Sequence, residues 1–290
     1  MHGWLVIDKP VGPGSTQIVD AVKRALREGG YAKAKVGHGG TLDPLASGVL
    51  PIALGEATKL SGCMLDADKV YEFTITFGVE TDTLDVEGEA VARSDVRPTL
   101  EQVEAVLPRF TGAIEQVPPV YSALKVEGRR AYDLARSGAE VELKSRRVTV
   151  HGLEVKKEDP HPNLLPQAGE GAGRHDSLSP PSPACGIGRG EGLPLPSVTL
   201  TARVSKGTYI RALARDIARA LESVGHVTML RRLKAGPFTL EGRFHWTNWA
   251  KPLRRAALSN TSCRWRRGWT TSRLFPSPPI RQGRSARGAS

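Results

Sequence analysis

Residues 36–51 read Val-Gly-His-Gly-Gly-Thr-Leu-Asp-Pro-Leu-Ala-Ser-Gly-Val-Leu-Pro, and they constrain the chain more than any other stretch. Gly37, Gly39 and Gly40 admit backbone angles that other residues avoid. Pro44 fixes its own φ and turns Asp43 away from the helical region. The segment reads as a loop that holds one carboxylate, Asp43, in one place. The mostly apolar run over residues 48–60 then anchors that loop to a core. Taken alone, the same composition also suits an ordinary glycine-rich turn with a solvated acid.

The rest of the body alternates strand and helix signals. Trp4 to Ile7 reads as a short buried strand. Ile18, Val22 and Leu26 recur every four residues behind Ser15 and Thr16, a helix with a polar start. Tyr71, Phe73, Ile75 and Phe77 alternate with polar residues along a strand with one buried face. Thr99 and Gln102 fit a capping box ahead of Val103, Val106 and Phe110. Arg129 to Ser137 reads as a short basic helix. Val148, Val150 and Val155 mark a strand, and Val198, Leu200, Ala202 and Val204 a clean period-two strand. Ile210, Leu213, Ile217 and Leu221 mark an amphipathic helix whose Arg211, Arg215 and Arg219 share another face. The strict βαβ rhythm of a parallel sheet is missing. The expectation is an α+β fold with a large mixed, mostly antiparallel sheet flanked by helices.

Two segments break this pattern. Residues 156–196 are crowded with Pro, Gly and Ser and cannot bury enough apolar surface to offset chain entropy. They read as a disordered insert joining two strands, an extension that loop-closure entropy tolerates. Residues 251–290 hold ten Lys and Arg and no Asp or Glu, which is nearly all of the +11 formal charge of the 290-residue chain. Without them the body carries 31 basic and 30 acidic residues. Any anion-binding surface on the body is therefore a local patch. The tail itself reads either as a basic arm or as a chain end in the wrong frame.

Cys63, Cys185 and Cys263 are far apart, which argues against a disulfide framework and a zinc site. The seven histidines show no metal-ligand spacing. Asp82, Asp85 and Glu87 suggest calcium at first sight, but Leu84 takes a ligand position and no loop-closing Glu follows. No nucleotide-binding fingerprint is present, so no cofactor and no metal are expected. No apolar run approaches the length of a membrane span, and the chain enters its first strand with no signal peptide ahead of it. A reducing, cytoplasmic setting is the simplest expectation.

Six blocks in order carry a family resemblance. Gly-His-Gly-Gly-Thr-Leu-Asp-Pro and the Ile-Ala-Leu-Gly-Glu-Ala-Thr-Lys-Leu that follows resemble the catalytic motif of the TruB-type tRNA pseudouridine synthases, bacterial in style. Leu5-Val6-Ile7-Asp8-Lys9-Pro10 with Gly12 resembles the family's opening motif. Lys69-Val70-Tyr71-Glu72-Phe73 resembles its tyrosine-bearing strand, and Thr81-Asp82-Thr83 with Asp85 and Gly88 the turn behind it. Pro118-Pro119-Val120-Tyr121-Ser122-Ala123-Leu124-Lys125, then Ser205-Lys206-Gly207-Thr208-Tyr209-Ile210-Arg211, then residues 226–233 complete the set. The resemblance spans nearly all of residues 3–249 except the insert. It departs from the family in the length of that insert and in the tail, which shows no β-rich C-terminal RNA-binding module. The expected division is a catalytic domain over 1–250 and a basic tail over 251–290.

What the resemblance implies is isomerisation of uridine to pseudouridine at position 55, in the T-arm loop of tRNA. The partner is tRNA, with no membrane, no guide RNA and no obligate protein partner. Asp43 is the implied catalytic acid. It can attack the ribose C1′ or the uracil ring, or stabilise charge developing on the ribose. A carboxylate working in a closed pocket needs a cation beside it, and Arg211 matches that partner. By itself Arg211 would be a surface arginine on a basic helix face. The target base must leave the stack and enter an apolar or aromatic pocket. Tyr71 matches the tyrosine that stacks on it, Tyr209 and Leu230 match pocket-lining positions, and His38 the histidine that helps take the base's place in the RNA. Each also reads as an ordinary core or surface residue. Lys9 supports the loop or contacts a phosphate. Lys125, Arg129 and Arg130 resemble an RNA-gripping segment, and Arg231 and Arg232 are further phosphate candidates. Three alternatives fit less well: a non-catalytic RNA-binding or RNA-remodelling protein on the same scaffold, an RNA-guided synthase, and a glycosidase, which needs paired carboxylates.

Overall fold

The computed structural model describes residues 2–122, 124–126, 129–130, 143–156, 193–241 and 244–245. Its centre is a ten-stranded sheet. In chain order the elements are β1 (Gly3–Lys9), α1 (Ser15–Glu28), β2 (Val36–His38), β3 (Ser47–Leu54), α2 (Ser61–Asp66), β4 (Lys69–Phe77), β5 (Val79–Thr81), β6 (Ala90–Arg93), α3 (Leu100–Val106) and β7 (Gly112–Gln116). There follow β8 (Lys125–Val126), β9 (Arg129–Arg130), β10 (Arg146–Val155), β11 (Ser197–Val204), α4 (Ile210–Ala220), β12 (Gly225–Ala235), β13 (Phe238–Thr239) and β14 (Phe244–His245). Neighbours across the sheet run β14-β1-β3-β12-β4-β11-β10-β7, with β2 on β3 and β13 on β12. Among the described residues only β1–β14 and β3–β12 pair in parallel as strands. The sheet is thus mixed and mostly antiparallel, and the α+β expectation holds.

Period-two patterning explains the central strands. Phe73, Ile75 and Phe77 on β4 and Val198, Leu200, Ala202 and Val204 on β11 are buried. The polar residues between them meet across strands: Thr74 and Thr199 share a hydroxyl hydrogen bond at 2.9 Å, and Thr76 and Thr228 one at 3.0 Å. Such cross-strand pairs fix the register. One apolar cluster takes in these strands, Ile18, Val22 and Leu26 of α1, and Leu213 and Ile217 of α4. Burying each large side chain of that cluster contributes about 1.5–3 kcal/mol. The capping box forms as the sequence indicates: Thr99 Oγ1 accepts from the Gln102 amide and Gln102 Oε1 from that of Thr99.

The sequence reading needs two adjustments. Arg129 and Arg130 are not helical: they form β9, antiparallel to β8, and residues 131–137 lie outside the described residues. The insert does join two strands, since β10 and β11 are antiparallel neighbours, but its margins belong to the body. The Lys156 amide donates to Thr199, Leu195 to Pro98, and Phe77 to Pro196. Residues 157–192 and the tail 251–290 lie outside the described residues. The polar start of α1 is as read: Ser15 opens the helix behind the N-cap Gly14, and its hydroxyl serves the Asp43 loop.

Candidate active site

Five consecutive carbonyls of the Asp43 loop, from Gly40 to Pro44, each accept a hydrogen bond. Arg232 donates to Gly40 and to Thr41, both at 3.2 Å. Ser15 Oγ donates to the Leu42 carbonyl and accepts from the Leu42 amide. The Ala46 amide closes back on the Asp43 carbonyl at 3.0 Å. The Pro44 carbonyl receives the Gly12 amide at 2.9 Å and Lys9 Nζ at 3.2 Å. A loop without helix or ladder partners thereby satisfies most of these carbonyls through distant residues. The exit of the loop needs a glycine. Gly48 has φ +102°, and a Cβ there would collide with the Arg232 carbonyl oxygen of the neighbouring strand.

The Asp43 carboxylate leaves this locked backbone with 37% of its side chain exposed. Its Oδ2 lies 2.9 Å from Arg211 Nη2. Arg211, the second residue of α4, is only 5% exposed. Gln116 fixes the start of that helix by bracketing Tyr209: its Oε1 accepts from the Tyr209 amide and its Nε2 donates to the Tyr209 carbonyl. The other face of the Arg211 guanidinium meets Asp85, with Nη1 3.1 Å from Oδ2. Nη1 also donates to the Thr83 carbonyl at 2.8 Å, and Nη2 to that of Tyr121 at 3.0 Å. Arg211 is therefore no solvated helix arginine. Its stripe mates have separate partners: Arg215 pairs with Asp216, and Arg219 with Glu80.

Asp85 is the residue whose role the sequence reading missed. Its carboxylate, 4% exposed, accepts from the Thr83 hydroxyl at 2.6 Å and the Glu87 amide at 3.0 Å besides facing Arg211. The block Thr81-Asp82-Thr83 with Asp85 pointed to a turn, and the turn turns out to hold a buried anion. A buried arginine between two carboxylates is an arrangement in which each charge offsets the desolvation of the next. Chemically it presents one accessible carboxylate, oriented by a cation that cannot leave.

The remaining candidates divide. Lys9 is fully buried and donates to the Pro10, Pro13 and Pro44 carbonyls at 2.8, 2.8 and 3.2 Å. It supports the loop and is not placed to meet a phosphate. Burial lowers its pKa to about 8, against a smaller opposing pull from Asp43. Arg232 is 1% exposed and bonded to carbonyls, so the phosphate contact considered for it is likewise excluded in this arrangement. Arg231, next in sequence, points the other way, pairing with Asp8 at 2.9 Å and with Ser47 Oγ. Tyr71 is half-buried beside the apolar cluster, and its ladder partner on β12 is Arg232. Leu230 is 6% exposed inside that cluster, opposite Phe73. Tyr209 carries the Arg146 guanidinium over its ring at 4.6 Å, a cation–π contact. His38 ends β2. Burial, and then the Arg232 charge, push its pKa down. The side chains of Lys125, Arg129 and Arg130 lie outside the described residues. Among the described residues no three His, Cys, Asp or Glu gather in a way that could hold a metal, and no helix is long and apolar enough to cross a membrane.

Comparison with known proteins fits this geometry. A chain from the crystal structure of a Cbf5-Nop10-Gar1 complex superposes with a TM-score of 0.55 at 28% identity, covering 84% of this chain and 52% of the other. A chain from an H/ACA RNP bound to a substrate RNA containing 2′-deoxyuridine gives 0.52 at 25%, covering 84% and 50%. Fold and site together define a pseudouridine synthase catalytic domain. Residues 27–168 match the family described as TruB family pseudouridylate synthase (N terminal domain). The tRNA pseudouridine synthase B of Novosphingobium aromaticivorans is 60% identical over 241 residues, which is 83% of this chain and 69% of that protein. The protein of the same name from Zymomonas mobilis is 54% identical, over 83% and 68%. The chain belongs to the TruB family of pseudouridylate synthases, which places it among the isomerases. It spans about two-thirds of the length of these relatives and about half that of the solved chains.

Proposed function

We propose that this chain isomerises uridine to pseudouridine in tRNA, at position 55 of the T-arm loop, without a guide RNA or a protein partner. The observation that carries the reading is the accessible carboxylate of Asp43, held at 2.9 Å by a buried arginine and carried on a loop whose carbonyls from Gly40 to Pro44 each accept a hydrogen bond. The reaction needs one such group. The bond between uracil N1 and ribose C1′ breaks, the base turns, and C5 bonds to C1′. The C5 proton is lost and N1 gains one, so no redox partner enters.

Asp43 acts as nucleophile or as electrostatic partner of the ribose. Arg211 orients it. Tyr71 stacks on the extruded base, with Tyr209 and Leu230 bordering the pocket and His38 facing the vacated position. Recognition of a splayed loop rests on RNA shape, which suits a T-arm hairpin. A cytoplasmic setting goes with this reading, because the proposed substrate is a tRNA.

The test is conversion of an isolated T-arm hairpin, with pseudouridine mapped by position, for the parent chain and for Asp43→Asn. The substitution keeps shape and removes charge. The parent should modify position 55 alone, and the variant should bind the hairpin without converting it. Turnover by Asp43→Asn near the parent rate, or modification only at another site of intact tRNA, would reject the reading.

A further inference from the structure

Arg232 is the bulkiest of the fully buried side chains. Among the described residues no carboxylate lies within ion-pair distance of it, and an unpaired charge is costly to bury. Each of its three nitrogens donates to a main-chain carbonyl: Nε to Val49 at 2.8 Å, Nη1 to Thr41 at 3.2 Å and Nη2 to Gly40 at 3.2 Å. These carbonyls lie on both sides of Asp43, two before it and one after. The planar fork therefore closes the neck of the loop from beneath. Donors on a charged group also make stronger hydrogen bonds than neutral ones.

The backbone of Arg232 occupies an equally constrained place. It pairs with Gly48 of β3 on one side and with Tyr71 of β4 on the other. Gly48 has no side chain because the Arg232 main chain fills that space. A bulge follows at once, between Arg232 and Lys234, a feature that bends and twists a strand where it occurs. One residue thus joins the strand that carries Tyr71 to the loop that carries Asp43. Lys9 grips the far end of the same loop, but its contacts there reach only Pro44.

We propose that Arg232 is a positioning residue of the isomerisation. Its guanidinium sets the place of the Asp43 carboxylate relative to the strand of Tyr71, acting through the loop backbone and never on the RNA. The proposal rests on the synthase reading above for its catalytic half. Its structural half stands on the hydrogen bonds alone.

The test uses the full chain with Arg232→Lys. Lysine keeps the positive charge but gathers its donors on one nitrogen, so it cannot span carbonyls that the three separate nitrogens of the planar guanidinium meet at different points. Amide hydrogen exchange by mass spectrometry should show faster exchange in peptides covering residues 39–50, with the rest of the chain unchanged. Single-turnover conversion of the T-arm hairpin at saturating protein should fall about 10- to 100-fold, as expected for a reacting group displaced by a fraction of an ångström to one ångström. Hairpin affinity should stay at the parent value. If the lysine chain does not fold, Arg232→Gln, which keeps an amide donor without the charge, carries the same comparison. Parent-like exchange over residues 39–50 overturns the proposal whatever the activity. So does a parent-like rate with a loosened loop. Lost affinity with an unchanged saturating rate would return Arg232 to phosphate binding. A parent chain that converts no uridine would defeat the synthase reading instead, while the exchange arm still decides whether Arg232 holds the loop.

Discussion

Replacing Asp85 by Asn tests whether the buried carboxylate governs the exposed one. Asp85 Oδ2 sits 3.1 Å from Arg211 Nη1, while Oδ1 accepts from the Thr83 hydroxyl and the Glu87 amide. An Asn cannot reproduce both sides. With its oxygen toward Thr83 and Glu87, its NH2 faces the guanidinium, donor against donor. Flipped, it accepts from Arg211 but turns its NH2 on the Glu87 amide. The direct attraction removed is roughly 5 kcal/mol at an effective dielectric near 20. Deleting one member of a buried pair typically costs about 3–5 kcal/mol. Asn keeps part of the hydrogen bonding, so about 2–4 kcal/mol of stability should be lost. Arg211 then keeps Asp43 as its one carboxylate partner and shifts toward it. The single-turnover rate should fall about 10- to 100-fold through misplacement of Asp43. Urea midpoints and hairpin conversion at saturating protein read the two effects. A variant as stable and as fast as the parent would show that Arg211 is positioned by the Thr83 and Tyr121 carbonyls alone, and the reasoning would fail.

Other expectations follow from the same contacts. Gly48→Ala should destabilise by about 3 kcal/mol or more, from a positive φ and collision with the Arg232 main chain, whereas Gly62→Ala on α2, with open space around it, should not; equal melting temperatures for the two variants would contradict this. Lys9 has a folded pKa near 8 against 10.5 in the unfolded chain. Below about 8 both states hold the proton; between 8 and 10.5 the unfolded state binds more, so the Lys9 contribution makes stability rise with pH there. Urea midpoints of the parent minus those of Lys9→Met should therefore climb from pH 8 to 10, and a flat difference would refute the assignment. Replacing residues 157–192 by a short Gly-Ser linker, while keeping the bonded margins at Lys156, Leu195 and Pro196, should leave melting temperature and hairpin turnover unchanged, because loop length enters closure entropy only logarithmically. A loss of turnover would mean that the insert takes part in the reaction.

Much of this protein was legible without coordinates. Periodicity located β4, β11, α1 and α4, since side-chain alternation and the 3.6-residue repeat are properties of local backbone geometry. The Thr99–Gln102 box and the glycine-proline loop were readable for the same reason. Short-range sterics also made Asp43 stand out as an acid in a constrained loop.

Tertiary structure alone decided which charges lose water. Arg231 and Arg232 are adjacent and look alike in sequence, yet strand alternation sends one to Asp8 and Ser47 and the other beneath the Asp43 loop. Arg211, Arg215 and Arg219 look like one basic stripe, yet only Arg211 meets the turns at Thr83 and Tyr121. Arg129 and Arg130 have helix-compatible sequence and form a hairpin strand. Lys9, Asp85 and Arg232 resemble surface charges until their partners are known, and those of Arg232 at Gly40 and Thr41 lie 192 and 191 residues away in sequence. Local conformation follows from neighbouring residues, so the sequence determined the elements and the loop that offers Asp43. Desolvation depends on contacts between remote segments, and therefore only the folded sheet decided which cations hold that loop in place.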